Sequence, residues 1–164
     1  MEALENKIMN LRLATEKDLD EICLLSQQIN TQHYHGAPQV FAEPKSVHRD
    51  RSYWRDNFNA EGAVFIVAEI DDKVVGFILA FITENTTVSF IQKKKLCRVK
   101  TIVVSEHFQG QGIGKKLMEA VELWSIGEGI DEVRLEVMEF NDKAQEFYDS
   151  IGFQTQSRIL SKSI

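Results

Sequence analysis

The chain has 164 residues, 43% of them hydrophobic, and carries a formal net charge of −6. That length supports a core of its own and a single domain over residues 1–164. The acidic balance excludes the basic face of a general nucleic-acid binder and mildly favours cationic acceptors.

Helix-period and strand-period segments alternate along the chain, which argues for an α/β or α+β fold. Met1-Glu2-Ala3-Leu4-Glu5 lacks the basic-then-apolar layout of a signal peptide, and no apolar run reaches membrane-spanning length. A cytoplasmic protein without a membrane partner is expected. Ile8 to Leu13 reads as a short strand. Thr15 follows as a helix N-cap, with Glu16 and Asp18 in the first turn, where negative charge suits the helix dipole. Leu19, Ile22, Cys23 and Ile29 mark the apolar face of that helix. Asn30 to Pro44 reads as irregular and holds His33, Tyr34, His35, Pro38 and Phe41. Lys45 to Phe58 reads as a second helix carrying Tyr53 and Trp54. Ala63 to Ile70 and Lys73 to Phe81 are strands joined at Asp71-Asp72, the spacing of a tight hairpin.

Glu84 to Thr87 is a polar loop, and Lys93-Lys94-Lys95 a solvated charge run. Cys97 to Val104 is a strand. Cys23 and Cys97, the only cysteines, are far apart in apolar surroundings and are expected as buried free thiols. A helix from Gly112 to about Ile126 places Ile113, Leu117, Ala120, Val121 and Trp124 on one side, and Gly127 and Gly129 end it. Val133 to Met138 is another strand. Asn141 caps a last helix to about Ile151, Gly152 stops it, and Phe153 to Leu160 is expected as a final strand.

Between the strand ending at Val104 and the helix opening near Gly112 lies Gln109-Gly110-Gln111-Gly112-Ile113-Gly114-Lys115. Glycines there let the backbone approach a ligand, and the free N–H groups of a helix's first turn face whatever sits in front of them. A diphosphate is the natural guest. A Walker A loop would need Gly at Gln109 and Ser or Thr at Lys116, and the dinucleotide fingerprint a third Gly at Lys115. Both patterns fail. Gln/Arg-x-x-Gly-x-Gly/Ala fits, met by Gln109, Gly112 and Gly114. With Leu135-Glu136-Val137, Asn141, Ala144, Phe147-Tyr148 and Gly152-Phe153 following in order and spacing, the stretch from about Cys97 to Phe153 resembles the GNAT superfamily of acyl-CoA-dependent N-acetyltransferases.

The resemblance implies a mixed, mostly antiparallel central sheet flanked by helices, and acetyl-CoA as acyl donor without a metal. The amine acceptor would be a small molecule or a protein. The donor would be held by Gln109, Gly110, Gln111, Gly112, Ile113, Gly114 and Lys115, by the backbone of Thr101, Ile102 and Val103, and by Asn141 and Tyr148. In the family's ternary-complex mechanism the amine attacks the thioester directly after losing a proton. Tyr148 is then the proton donor to the leaving thiolate, and Glu136 the proton acceptor, against readings as a core aromatic and as an ion-paired surface carboxylate. Many members carry an acid on the strand before the turn, where this chain has Arg98, Lys100 and Thr101. A homodimer is a further implication, and an acyl-CoA sensor without turnover is the competing class. His33 and His35 lack partners at zinc-site spacing, so a loop or acceptor-pocket role is the reading preferred for them, while Tyr34, Phe41, Tyr53 and Trp54 are read equally as lining that pocket or as packing the first two helices.

Overall fold

The computed structural model describes residues 8–164. Met1 to Glu5, where the sequence shows no signal-peptide layout, lie outside them. Strands β1 (Met9–Leu13), β2 (Ala63–Ile70), β3 (Lys73–Glu84), β4 (Lys95–Val104) and β5 (Val133–Arg134) form one sheet in that spatial order. The first three pairings are antiparallel and the last is parallel. Helices α1 (Leu19–Gly36), α2 (Arg51–Asp56), α3 (Ile113–Gly127) and α4 (Asp142–Ser150) complete the fold. Among the described residues no helix is long and apolar enough to cross a membrane.

The two-residue period of the strands sorts the core into two layers. Val64, Ile66, Ile78, Ala80, Cys97 and Val99 meet Ile113, Leu117, Met118 and Val121 of α3 on one face. Phe65, Val67, Phe77, Leu79 and Val103 meet Leu19, Ile22 and Cys23 of α1 and Trp54 of α2 on the other. Cys23 and Cys97 are buried, unpaired thiols on opposite faces. The hairpin between β2 and β3 turns on Asp71 and Asp72, both at positive φ (51° and 60°), the backbone that a two-residue turn needs to follow the strands' twist.

Four segments depart from the sequence reading. Asn30 to Gly36 is helical, because nothing breaks α1 before Ala37-Pro38, and a residue preceding proline is pushed out of the helical region. The second helix is confined to Arg51–Asp56; upstream, the Ser46 hydroxyl accepts from the His48 N–H and holds a turn instead. The strand expected over Val133 to Met138 pairs only at Val133 and Arg134. Phe153 to Leu160 forms no strand: its polar run from Gln154 to Arg158 is exposed, and only Phe153 joins the core.

The start of α1 is tied to the sheet by charge. Arg12 of β1 donates to the buried Asp18 through both terminal nitrogens, at 2.8 Å each, and also bonds Glu69 of β2. The Asp18 carboxylate accepts as well from the Thr15 N–H (2.8 Å) and hydroxyl (3.1 Å). Burial alone would raise the Asp18 pKa, but the Arg12 and Thr15 hydrogen bonds outweigh it and hold the carboxyl below its usual 3.8. A group with a depressed folded pKa stabilises the fold at pH above its unfolded value and loses that contribution as the folded pKa is crossed downward. Asp18→Asn should therefore cost about 1–3 kcal/mol in urea unfolding at pH 7. The gap between variant and parent should close as the pH falls below about 4; a gap constant from pH 7 to pH 3 would contradict the assignment.

Candidate active site

β4 and β5 share only two register pairs, Cys97 with Val133 and Arg98 with Arg134, before they part. β5 ends there, while β4 continues to Val104 with an open edge. On its other side β4 carries a bulge: Leu79 faces Thr101 and Ala80 faces Val99, so Lys100 is the extra residue. The Ser105 N–H donates to Val75 O at 2.8 Å, which sets the parity of the ladder. By alternation, Thr101 and Val103 direct their backbone groups at β3, and Ile102 and Val104 direct theirs into the opening. This narrows the three-residue expectation: Ile102 faces the opening, whereas Thr101 and Val103 hold β4 in the sheet. Val104 O accepts two side-chain amides, Gln28 Nε2 at 3.0 Å and Gln109 Nε2 at 3.2 Å.

The glycine turn lies at the end of that open edge. Gly110 and Gly112 have φ of 75° and 79°, and an added Cβ at either would meet nothing within 4 Å. Both need glycine for backbone conformation, and both face open space. Gly112 is the N-cap of the fifteen-residue α3 and offers no side chain to cap it. The first-turn N–H groups of Ile113, Gly114 and Lys115 therefore have no partner inside the helix and present partial positive charge outward. Such a cradle fits an anion. Gly114 serves packing: a Cβ there would stand 3.3 Å from the Phe147 ring of α4. Gln111 is exposed, and Lys115 reaches only Glu119, at 3.9 Å, on its own helix.

Tyr148 on α4 packs against Phe147 (5.3 Å between ring centroids), Phe153 (5.7 Å) and the layer that includes Leu135. Burial pushes its phenol up to about 12, so the group keeps its proton at neutral pH. Among the described residues its hydroxyl has no hydrogen-bond partner. Asn141 caps α4, its Oδ1 accepting from the Ala144 N–H at 3.2 Å, which leaves its NH2 unspent. Glu136 is exposed and accepts from Arg98 Nη1. Arg98 is in register with Phe81, which packs on the α1/α2 face. Glu136 and Tyr148 thus belong to opposite faces of the opening.

His33, in the last turn of α1, stacks on Phe41 at 4.6 Å and meets Phe140 edge-on at 6.0 Å. Burial lowers its pKa and keeps the imidazole neutral. The Phe140 ring lies on Gly36, where a Cβ would come within 2.2 Å of it. Trp54 is a core residue against Phe65 and Phe77. Tyr34 stands beside His35 at 5.8 Å. Among the described residues no group of three His, Cys, Asp or Glu is placed to hold a metal. Sequence reasoning missed Gln28, whose Oε1 also accepts from the Glu106 N–H at 3.1 Å, and Arg98 as the partner of Glu136. Neither has a local signal: both depend on pairings across long sequence separations.

The acetyltransferase (GNAT) family model matches residues 29–153. The chain belongs to that family. An uncharacterized N-acetyltransferase of Archaeoglobus fulgidus is 28% identical over 142 residues, covering 87% of this chain and 90% of that protein. Among solved structures, a mutant BH1408 protein from Bacillus halodurans superposes with a TM-score of 0.90 at 22% identity, over 94% of this chain and 99% of that one. The aminoglycoside N-acetyltransferase AAC(6')-Iy in complex with CoA gives 0.76 at 19%, over 98% and 97%. The GNAT membership makes the protein an acyltransferase.

Gly112 and Gly129 provide a matched pair, since both have positive φ and open surroundings. Replacing either by Ala should cost about 1–2 kcal/mol of backbone strain. Only Gly112→Ala should also lower acetyl-CoA affinity, by about tenfold or more, in calorimetric titration. Equal loss of affinity in both variants would separate the cradle from donor binding.

Proposed function

We propose that this protein transfers the acetyl group of acetyl-CoA to a primary amine by direct attack within a ternary complex. The observation that carries this reading is the continuity of the unpaired β4 edge with the glycine cradle at the start of α3. The CoA-bound aminoglycoside acetyltransferase among the fold neighbours supports the same donor. The diphosphate is received by the N–H groups of Gly110, Gly112, Ile113, Gly114 and Lys115, with Gln109 bracing the turn and Gln111 and Lys115 at its rim. The pantetheine amides pair with the free backbone groups of Ile102, as a further strand would, while Val104 O is held by Gln28 and Gln109. The unspent NH2 of Asn141 lies at the base of α4, within the same half of the opening.

The chemistry removes two protons from the acceptor ammonium, one before attack and one as the amide forms, and supplies one to the leaving sulfur. The Glu136 carboxylate takes a proton from the acceptor ammonium. The freed nitrogen lone pair forms the new N–C bond at the thioester carbonyl as the C–S bond breaks. The departing sulfur takes the proton of the Tyr148 phenol, and the proton that the nascent amide nitrogen sheds restores the phenol. Three features support these roles: Tyr148 is protonated at working pH, its hydroxyl has no partner among the described residues, and Glu136 stands on the other face of the opening. An unpartnered phenol also favours an enzyme over a sensor that binds acyl-CoA without turnover. The acceptor approaches from the α1/α2 face, as a small molecule or an exposed protein amine.

Tyr148→Phe should reduce thiol release by about 100-fold or more while changing acetyl-CoA affinity less than about threefold. Unchanged turnover would remove the proton-donor role. Because the phenol titrates near 12, the parent enzyme should show no falling limb in kcat between pH 7 and pH 10. Glu136→Gln should slow the reaction most at pH values where the acceptor amine is protonated, and an unaltered pH profile would clear Glu136 of the base role.

A further inference from the structure

The protein as a whole is acidic, with a net charge of −6, yet five of the eight residues from Lys93 to Lys100 are cations and none is an anion. This stretch runs into β4 and ends at the bulge. Beside it lies a basin of about 460 Å³, lined by Thr83, Glu84, Lys94, Arg98, Glu132 and Arg134 among others. Arg98 and Arg134 are register partners on adjacent parallel strands, so their side chains leave the same face about 5 Å apart. That face is the α1/α2 face, from which the acceptor approaches.

Neither guanidinium is fully used. Arg98 commits Nη1 to Glu136, and Arg134 commits Nε to Glu132. Among the described residues the two terminal nitrogens of Arg134 and the Nη2 and Nε of Arg98 have no partner. Both side chains are partly open to solvent, at 37% and 41% exposure, so an incoming anion reaches them without unpacking the core. Two planar guanidinium groups side by side, each with spare N–H donors, match the oxygens of a carboxylate. Lys94 is already held by Asp131 and Glu132 and takes no part.

We infer that Arg98 and Arg134 form a carboxylate-binding subsite that selects acceptors carrying an acidic group remote from the reacting amine. The inference rests on the N-acetyltransferase reading above. With the thioester carbonyl placed at the bulge, where β4 has parted from β5, the acceptor nitrogen lies two residues along β4 from Arg98, a nitrogen-to-carboxylate separation of about 7 Å. An ω-amino acid of about six carbons has that reach. Its carboxylate displaces Glu136 from Arg98, leaving the Glu136 carboxylate free beside the amine it deprotonates. Recognition and base release are then one event, and an amine lacking the acid group finds Glu136 still held by Arg98. The net charge of the chain suggests cationic acceptors; the spare N–H donors of the two guanidinium groups favour an acidic group at this point of the surface.

The test is a matched pair, 6-aminohexanoate and 6-aminohexanamide, assayed by thiol release with the unmodified protein. The carboxylate should be preferred roughly 10- to 100-fold in kcat/KM, the scale of a charged hydrogen-bonded pair. Arg98→Gln and Arg134→Gln should each bring the ratio toward unity, and Arg134→Lys should keep part of it. Direct titration of 6-acetamidohexanoate and 6-acetamidohexanamide into the protein reads the subsite without turnover and should show the same order. Equal binding of the two, or equal or better use of the carboxamide, overturns the subsite. Acetylation of other amines in that case leaves the enzymatic reading standing. Tighter binding of the acid by a protein that neither binds acetyl-CoA nor turns over would uphold the subsite and overturn the enzyme.

Discussion

The two-residue length of the parallel pairing between β4 and β5 is the constraint on which the rest of the site depends. Had β5 continued to Met138, its ladder would have reached Ile102 and consumed the backbone groups of that edge, leaving none there for a ligand. Instead the sheet splits beyond Arg98 and Arg134, and the bulge at Lys100 turns the free edge into the gap. An open strand edge inside a folded domain is normally a liability, because unpaired N–H and C=O groups invite unwanted partners. Here it is short, it lies between two helical layers, and its far end abuts a turn that needs an anion. The liability is confined to a place where a ligand resolves it.

Holding such a gap open requires a strut, and α1 fills that role. At one point its Gln28 side chain bonds Val104 O and the Glu106 N–H, which fixes the end of β4. Eight residues on, Gly36 carries the Phe140 ring, and His33 is clamped between Phe41 and Phe140. At 1.5 Å per residue these two anchors lie about 12 Å apart along the helix axis. Phe140 immediately precedes the cap of α4, so the helix that bears Tyr148 is positioned by the same strut. The Arg12–Asp18–Glu69 network pins the other end of α1 to β1 and β2, which makes the strut rigid from end to end.

The sequence was most legible where backbone geometry is demanded by chemistry. Gln109, Gly112 and Gly114 with the trailing Tyr148 and Gly152 point to the family, and the alternating strands to the sheet, because glycine at positive φ and apolar period are local signals. The last turns of α1 were hidden, since His33, Tyr34 and His35 have weak helix propensity and only the proline at 38 marks the true end. The early end of β5 was hidden too, because Leu135 and Val137 continue the apolar alternation of a strand after the ladder has stopped. Arg98 as the partner of Glu136 could not be read, because it follows from the parallel register of strands thirty-odd residues apart.

This difference in legibility has a physical origin in the division between the two faces. On the α3/α4 face the ligand is met largely by main-chain groups, which any residue supplies. The few positions that must be specific are glycines and a tyrosine, and they recur as a pattern. On the α1/α2 face the groups proposed for recognition are side chains: the Arg98–Glu136 pair, Arg134, and the aromatic group of His33, Phe41 and Phe140. Their arrangement depends on which strands and loops the fold brings together, so it leaves no short motif. A family pattern therefore reads the donor half of such an enzyme and stays silent on the acceptor half. The charge of the whole chain is as silent, since a net charge of −6 shows neither the cations between Lys93 and Lys100 nor the carboxylates that pair with some of them. On the reading proposed above, acceptor choice rests on a few side chains of one face, and it has to be read from register, face and ion pairing.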